Sequence, residues 1–457
     1  MSDSLDLANL GTGSVIAPAG HGKTYSIAQT IVDHPELRIL VLTHTNAGIA
    51  AIKRQVKAHG ALNVRIETIS AFCLRLARSF PGRAEWREDG DTDFAKIHPA
   101  AVKALRSATI LEIVAMGYDL LIVDEYQDCS IEQAQVIELL AGVLRTVVLG
   151  DPLQAIFNFG PTPSVPWNGA TAVLPQVASL STPHRWKQSN PRLGEWLLHC
   201  RQELLAGRRP GPNTPHPFEV ESLDREATQG GLARLIPRSG TTAIISPDSA
   251  NPTVLHNIAR SYKGKVRVAE KADLAELRAI ARIIDRTSDR ASVLIGIIEF
   301  ASSTRTAVTT AVVQTLRKNL KSKGIASRST QPVVLSASQY LADGSTHAAL
   351  TFFRHLISSE HGHTYRPQLQ KLLVKVLSMS ITDPAPSFED HAARLIERNN
   401  HRSSWEPFGT VVGTTLRLKG LEFDNVIILD PRTITAHNHL YVALSRPTKR
   451  LILANTS

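Results

Sequence analysis

The chain has 457 residues, 43% of them hydrophobic and 20% charged; such values suit a folded protein of roughly two to four domains and exclude disorder throughout. Lys and Arg number 51 against 41 acidic residues, a formal charge of +10, which fits a polyanionic partner but also an ordinary basic protein. Cys73, Cys129 and Cys200 are far apart and lack CxxC spacing, which argues against a disulfide framework or a zinc site.

No stretch approaches the ~18 apolar residues of a membrane span, and the N-terminus has no basic-then-apolar leader, so the expectation is a cytoplasmic protein with no membrane partner. The first 185 residues alternate short apolar runs with helical spacing. The strand candidates are 14–16, 38–42, 64–69, 120–123 and 146–149, with helices after Lys23, Asn46 and Ser130. Strands alternating with helices predict an α/β fold with a parallel sheet whose ligands sit at the carboxyl ends of its strands. A polar segment at about 79–117 reads as a short insertion, and 206–217 (AGRRPGPNTPHP) as a surface loop. A second αβ pattern starts at 241–246, with 265–268 as another strand. Residues 271–405 are helix-rich, and strands return at 411–414, 426–430 and 451–454.

Residues 14–24 read SVIAPAGHGKT, a strand entering a Gly-containing loop and then a helix. Backbone N–H groups of Ala17, Pro18, Ala19, Gly20, His21 and Gly22 (proline aside, which has none) and the helix N-terminus can cradle phosphates. Lys23 would reach the β- and γ-phosphates of ATP, and the Thr24 hydroxyl would bind Mg²⁺. About a hundred residues on, 120–129 read LLIVDEYQDC, a strand ending in two carboxylates. Asp124 would hold Mg²⁺ and Glu125 would take the proton of the attacking water. Alone, such carboxylates are usually solvated; beside a phosphate loop in one sheet they read as catalytic.

DEYQD resembles the UvrD/Rep branch of superfamily 1 helicases, and the other motifs of that family have counterparts in order. They are VLTHTN (41–46), TISAFC (68–73), LGDPLQAIFNFG (149–160), LSTPHR (180–185), GTTLRLKGLEF (413–423) and LYVALSR (440–446). The resemblance implies two RecA-like parallel-sheet P-loop domains with helical insertions. The first is 1–180; the second is 181–270 with 406–457, interrupted by a helical insertion at 271–405. It further implies Gln154 as γ-phosphate sensor, Arg185 and Arg446 as arginine fingers, and Glu422 at the ribose. Contacts to nucleic acid fall to His44, Thr45, Asn46, Phe72, Phe157, Phe159 and Thr414, although aromatics at such positions are as often core. The implied activity is ATP-driven translocation along single-stranded or partly duplex DNA in the 3′→5′ direction.

The sequence departs from the family pattern at several places. His44 stands where a stacking Phe is usual, Gly160 replaces an Arg, Leu416 replaces a His, and residues 1–14 contain no Gln to read adenine. The ATP-side residues are kept, while most changes fall on the DNA side. The expectation is a compact motor working with a protein partner, since the chain stops soon after Arg446 without room for a nuclease domain. Short chains of this type resemble the helicase subunits that accompany a nuclease in anti-phage systems such as Gabija. The competing reading is an ATP-gated DNA-binding regulatory subunit with little unwinding. A small-molecule kinase fits poorly, having no use for two fingers.

Overall fold

The computed structural model describes residues 5–57, 63–87, 94–156, 165–167, 173–210, 218–223, 228–247, 252–269, 275–322, 330–358, 362–402 and 409–456. The chain divides into two compact units: 1–219 with 403–406 and 432–451, and 220–402 with 407–431 and 452–457. Residues 181–219 and 432–451 therefore cluster with the first unit. No helix among the described residues is long and apolar enough to cross a membrane.

The first unit is built on β1 (Gly13–Ile16), β2 (Ile39–Thr43), β3 (Val64–Thr68), β4 (Leu120–Val123), β5 (Arg145–Gly150) and β6 (Gln176–Ser179). They form one sheet in the order β3-β2-β4-β5-β1-β6, parallel throughout. The interior strands β2 and β4, ILVLT and LLIV, are buried at every position, as a sheet covered on both faces requires. The edge strand β6, QVAS, is largely exposed. Alternation along β2 separates the two cores. Ile39 and Val41 pack with Ile27, Ile31 and Ile52; Leu40 and Leu42 pack with Phe72, Leu76, Ile97 and Ile137.

The polar segment at 79–117 is folded. Helices Pro81–Ala84, Phe94–Leu105 and Ala108–Gly117 send Ile97, Ala101, Leu105 and Ile110 into the second of these cores. Ile97, Ala101 and Leu105, four residues apart, form one face of the middle helix, and the polar residues between them hide it from a composition-based reading.

The second unit contains a sheet ordered β7-β12-β11-β8-β10-β9, with β7 (Glu219–Leu223), β8 (Thr242–Ser246), β9 (Val266–Val268), β10 (Thr410–Thr414), β11 (Phe423–Leu429) and β12 (Pro447–Thr456). Strands β11, β8, β10 and β9 run parallel. Between β9 and β10 the described residues form seven helices, from Ala275–Arg286 to Phe388–Arg402. They share one apolar core that includes Leu294, Ile297, Phe352, Phe353, Leu373 and Val376. The α/β class with two sheets and a helix-rich insert agrees with the sequence-based expectation.

Candidate nucleotide-binding site

The site lies at the carboxyl ends of the first sheet, where β1, β5 and β4 are neighbours. Leaving β1, the chain is held to the adjoining strand by Ala17 N–H donating to Gly150 O at 2.8 Å. It then turns through Gly20 (φ 72°) and Gly22 (φ 90°), left-handed conformations that glycine adopts at little cost. Space is restricted there as well. A Cβ on Gly20 would come within 2.8 Å of the Trp186 ring, and one on Gly22 within 3.1 Å of His184 Cδ2. The helix Lys23–Asp33 begins at Gly22 without a side-chain cap. Its first amides and its dipole thus face the loop, an arrangement suited to anions. Ala17, Pro18, Ala19 and His21 are buried, while Thr24 is half-buried.

Lys23 Nζ lies 3.0 Å from Glu125 Oε1. Burial pulls the Lys23 ammonium down, but the charges of Glu125, Asp124 and Asp151 outweigh it and leave the group above its ordinary range. Asp124 is buried at the end of β4, and burial together with the Glu125 charge pushes its carboxyl up to about 7, against the pull of Lys23. Glu125 has φ 56°, a left-handed conformation that costs a non-glycine residue of order 1–3 kcal/mol and collects at functional sites. Its backbone N–H donates to Asp124 Oδ1 at 3.0 Å, and its Oε2 accepts from Gln127 Nε2 at 2.5 Å.

After β5 the fully buried Asp151 carboxylate accepts from Leu153 N, Gln154 Nε2 and Arg201 Nη2 at 3.2, 3.2 and 3.1 Å. The Asp151 N–H donates to Gln127 Oε1 at 3.1 Å. Gln154 therefore stands in one network with Gln127 and Glu125. No three His, Cys, Asp or Glu side chains gather into a metal-binding group among the described residues. Mg²⁺ characteristically takes one or two protein ligands and completes its shell with phosphate and water, and Asp124 and Thr24 at the glycine cradle fit that pattern.

Arg185 belongs to the same unit and is tied to the loop: its N–H donates to Gly20 O at 3.0 Å. Its Nη1 donates to Ser445 O at 2.6 Å, and its guanidinium lies 5.3 Å from the Trp186 ring centroid. Arg446 is buried, with Nε donating to Val442 O and Nη2 to Ser445 Oγ, both at 2.9 Å. It follows the helix His437–Leu444, whose Tyr441 hydrogen-bonds the Ala19 backbone. Both arginines are thus carried by segments stitched to one another. Trp186 Nε1 donates to Pro447 O at 2.6 Å, and Asn190 Nδ2 to Lys449 O at 2.8 Å.

The residues expected to face nucleic acid are dispersed. Thr45 is exposed and Asn46 half-buried at the end of β2, while His44 Nε2 lies 3.4 Å from Cys129 Sγ. Phe72 is 1% exposed within the core, with Arg75 over its ring. The apolar face of helix Ile69–Ser79 turns into the core and carries the ring with it. Thr414 ends β10 and is buried, and Glu422 is exposed, both in the second unit. Phe157 and Phe159 lie outside the described residues. The sequence reading missed Asp151, Gln127, Trp186 and Arg201. The first three sit inside or beside recognised motifs; Arg201, mid-helix between Cys200 and Gln202 and outside every motif, gives no signal.

His21 offers a test of this packing. Burial pushes its imidazole down to about 4; the bond from Nδ1 to Ala19 O at 2.7 Å and the Asp151 charge oppose this, and Arg201 and Arg185 add to it. The folded state refuses a proton that the unfolded chain accepts below about pH 6.5. Stability should therefore fall as pH drops from about 6.5 toward 4, by up to about 3 kcal/mol from this group. His256 in the second unit shifts in the same direction, to about 4. Urea midpoints at pH 7 and pH 5 should thus differ less in His21→Asn than in the native chain. An equal difference would disprove the contribution.

Residues 83–161 match the model of the UvrD/REP helicase N-terminal domain, a span that holds Asp124, Glu125 and Gln154. No curated protein matches the chain. Among solved structures, the complex of arterivirus nonstructural protein 10 (helicase) with DNA aligns over 97% of this chain and 60% of its own, at 10% identity and a TM-score of 0.36. The crystal structure of the same helicase aligns over 98% and 60%, at 11% identity and a TM-score of 0.38. The chain spans 60% of the length of these proteins.

Proposed function

We propose that this protein is an ATP-hydrolysing motor that moves along single-stranded DNA, in the manner of the UvrD/Rep helicases it resembles. The observation that carries the proposal is the Lys23–Glu125 pair, 3.0 Å apart, which joins a glycine cradle at a helix N-terminus to the carboxylate pair ending β4, one strand removed from β1 in the same sheet. A phosphate-binding loop alone would serve any nucleotide switch. A strained, partly exposed carboxylate held against the phosphate lysine is what hydrolysis needs.

Lys23 pairs with Glu125 at 3.0 Å. A nucleotide seated in the cradle supplies oxygens that draw the ammonium away, and the freed Glu125 then accepts the proton of a water aligned with the γ-phosphate. Gln154, whose amide donates to Asp151, would sense that phosphate. Arg185 and Arg446 would spread the developing charge after modest rearrangement of their present backbone partners. Thr24 and Asp124 would hold Mg²⁺, which neutralises phosphate oxygens when bound. Polarity 3′→5′ and a nuclease or other protein partner complete the proposed reading.

One observation favours a second reading, an ATP-gated regulatory subunit. Of the candidate DNA contacts, Phe72 is packed in the core and the half-buried His44 lies against the buried Cys129.

ATP turnover by the full chain with and without single-stranded DNA separates the two. We expect DNA to raise turnover at least about tenfold. Turnover indifferent to DNA would overturn the motor reading and leave the regulatory one. Absence of any turnover in the presence of DNA and Mg²⁺ would overturn the enzyme assignment itself.

A further inference from the structure

Asp151 is a carboxylate with no exposed surface, and such a group is tolerated only where charge and hydrogen bonds replace water. Two of its donors, Leu153 N and Gln154 Nε2, come from its own loop. The third, Arg201 Nη2 at 3.1 Å, brings a positive charge from the helix Pro191–Leu205, fifty residues away. That helix is seated by Leu193, Trp196, Leu197, Cys200 and Leu204, an apolar face sufficient to dock it. A half-exposed or apolar side chain at 201 would serve packing as well, since apolar replacement of buried ion pairs is often neutral or stabilising. The guanidinium answers to Asp151.

From Asp151 the connections run to the site. Its carboxylate fixes the Gln154 amide, and its N–H holds Gln127, whose amide in turn donates to Glu125 Oε2. We infer that Arg201 is a positioning residue for hydrolysis, acting through Asp151 on Gln154 and on the Gln127–Glu125 pair. The inference rests on the ATPase reading above. Arg201 touches neither substrate nor metal; its guanidinium holds the Asp151 carboxylate in the direction that fixes the Gln154 amide. Without it the buried carboxylate loses its charged partner and turns, the Gln154 amide loses its bearing, and the loop whose Asp151 N–H holds Gln127 is loosened with it. Nucleotide affinity, set by the glycine cradle and Lys23, is left in place. The effect belongs to kcat.

The test is steady-state turnover of the full chain carrying Arg201→Met, alongside Arg201→Lys and, as a control, Arg192→Gln at an exposed position of the same helix. Misplaced catalytic groups cost roughly 10–100-fold. We expect that loss in kcat for Arg201→Met, with MgADP affinity within about twofold of the native chain. Lys should restore part of the rate, and Arg192→Gln should leave it unchanged. Adding Asp151→Asn to Arg201→Met should recover several-fold of the loss, because a neutral side chain needs no cation. MgADP binding also reports folding, so a misfolded variant is recognised directly, and the Lys and double variants then decide. Turnover of Arg201→Met within about threefold of native overturns the inference while the ATPase reading stands. Equal loss of kcat and MgADP affinity in all Arg201 variants, without rescue by Asp151→Asn, also overturns it. A native chain without turnover removes the ATPase reading itself, and the inference with it.

Discussion

Glu125→Gln should lower ATP turnover by about 10²–10⁴-fold, the usual contribution of a positioned general base, and leave nucleotide binding intact or tighter. The substitution keeps the shape of the side chain and its partner Gln127, but removes the charge that accepts a proton. It also frees Lys23 from its 3.0 Å ion pair, so the lysine reaches a phosphate without first breaking a salt bridge. The check is single-turnover hydrolysis beside titration with a fluorescent nucleotide. A variant that keeps more than about a tenth of native turnover would show that another group activates the water.

Trp186→Ala should destabilise the first unit by about 3–5 kcal/mol, the range for removing a large buried aromatic. Trp186 is 1% exposed. Its ring lies where a Gly20 side chain would be, with the Arg185 guanidinium beside it. Its indole N–H donates to Pro447 O at 2.6 Å. Truncation opens a cavity under the phosphate loop and leaves that carbonyl without its donor, so affinity for MgATP should fall together with the denaturation midpoint. Trp186→Phe keeps most of the packing and loses only the donor, for about 1–2 kcal/mol. Urea denaturation followed by intrinsic fluorescence measures both. A loss under about 1 kcal/mol for the alanine variant would mean that the loop is not seated on this ring.

The sequence determined the phosphate loop, the carboxylate pair and the strands that carry them. Each is a local pattern: an apolar strand, glycines at the positive-φ turns of the phosphate loop, a charge at a strand end. Most strands of the two sheets and the helix-rich stretch before β10 were legible for the same reason, through periodicity, whereas β6 and β7 carry no apolar run and were not read as strands. Less could be read where an apolar face is interleaved with charge, as in helix Phe94–Leu105, or where the same residue type serves opposite ends. Phe72 carries the apolar character that suits either a stacked base or a core, and only the direction of helix Ile69–Ser79 sends it inward. The partnership of Asp151 with Arg201 was beyond any local pattern, because the two are fifty residues apart and an arginine amid a helix is ordinarily solvated. Placing Trp186 against Gly20, and Ser445 O within reach of Arg185, likewise required the chain to bring residues 183–190 and 445–449 together. Local chemistry selects which residues can handle a nucleotide, and long-range packing decides which of them are held, in what direction and by what charge.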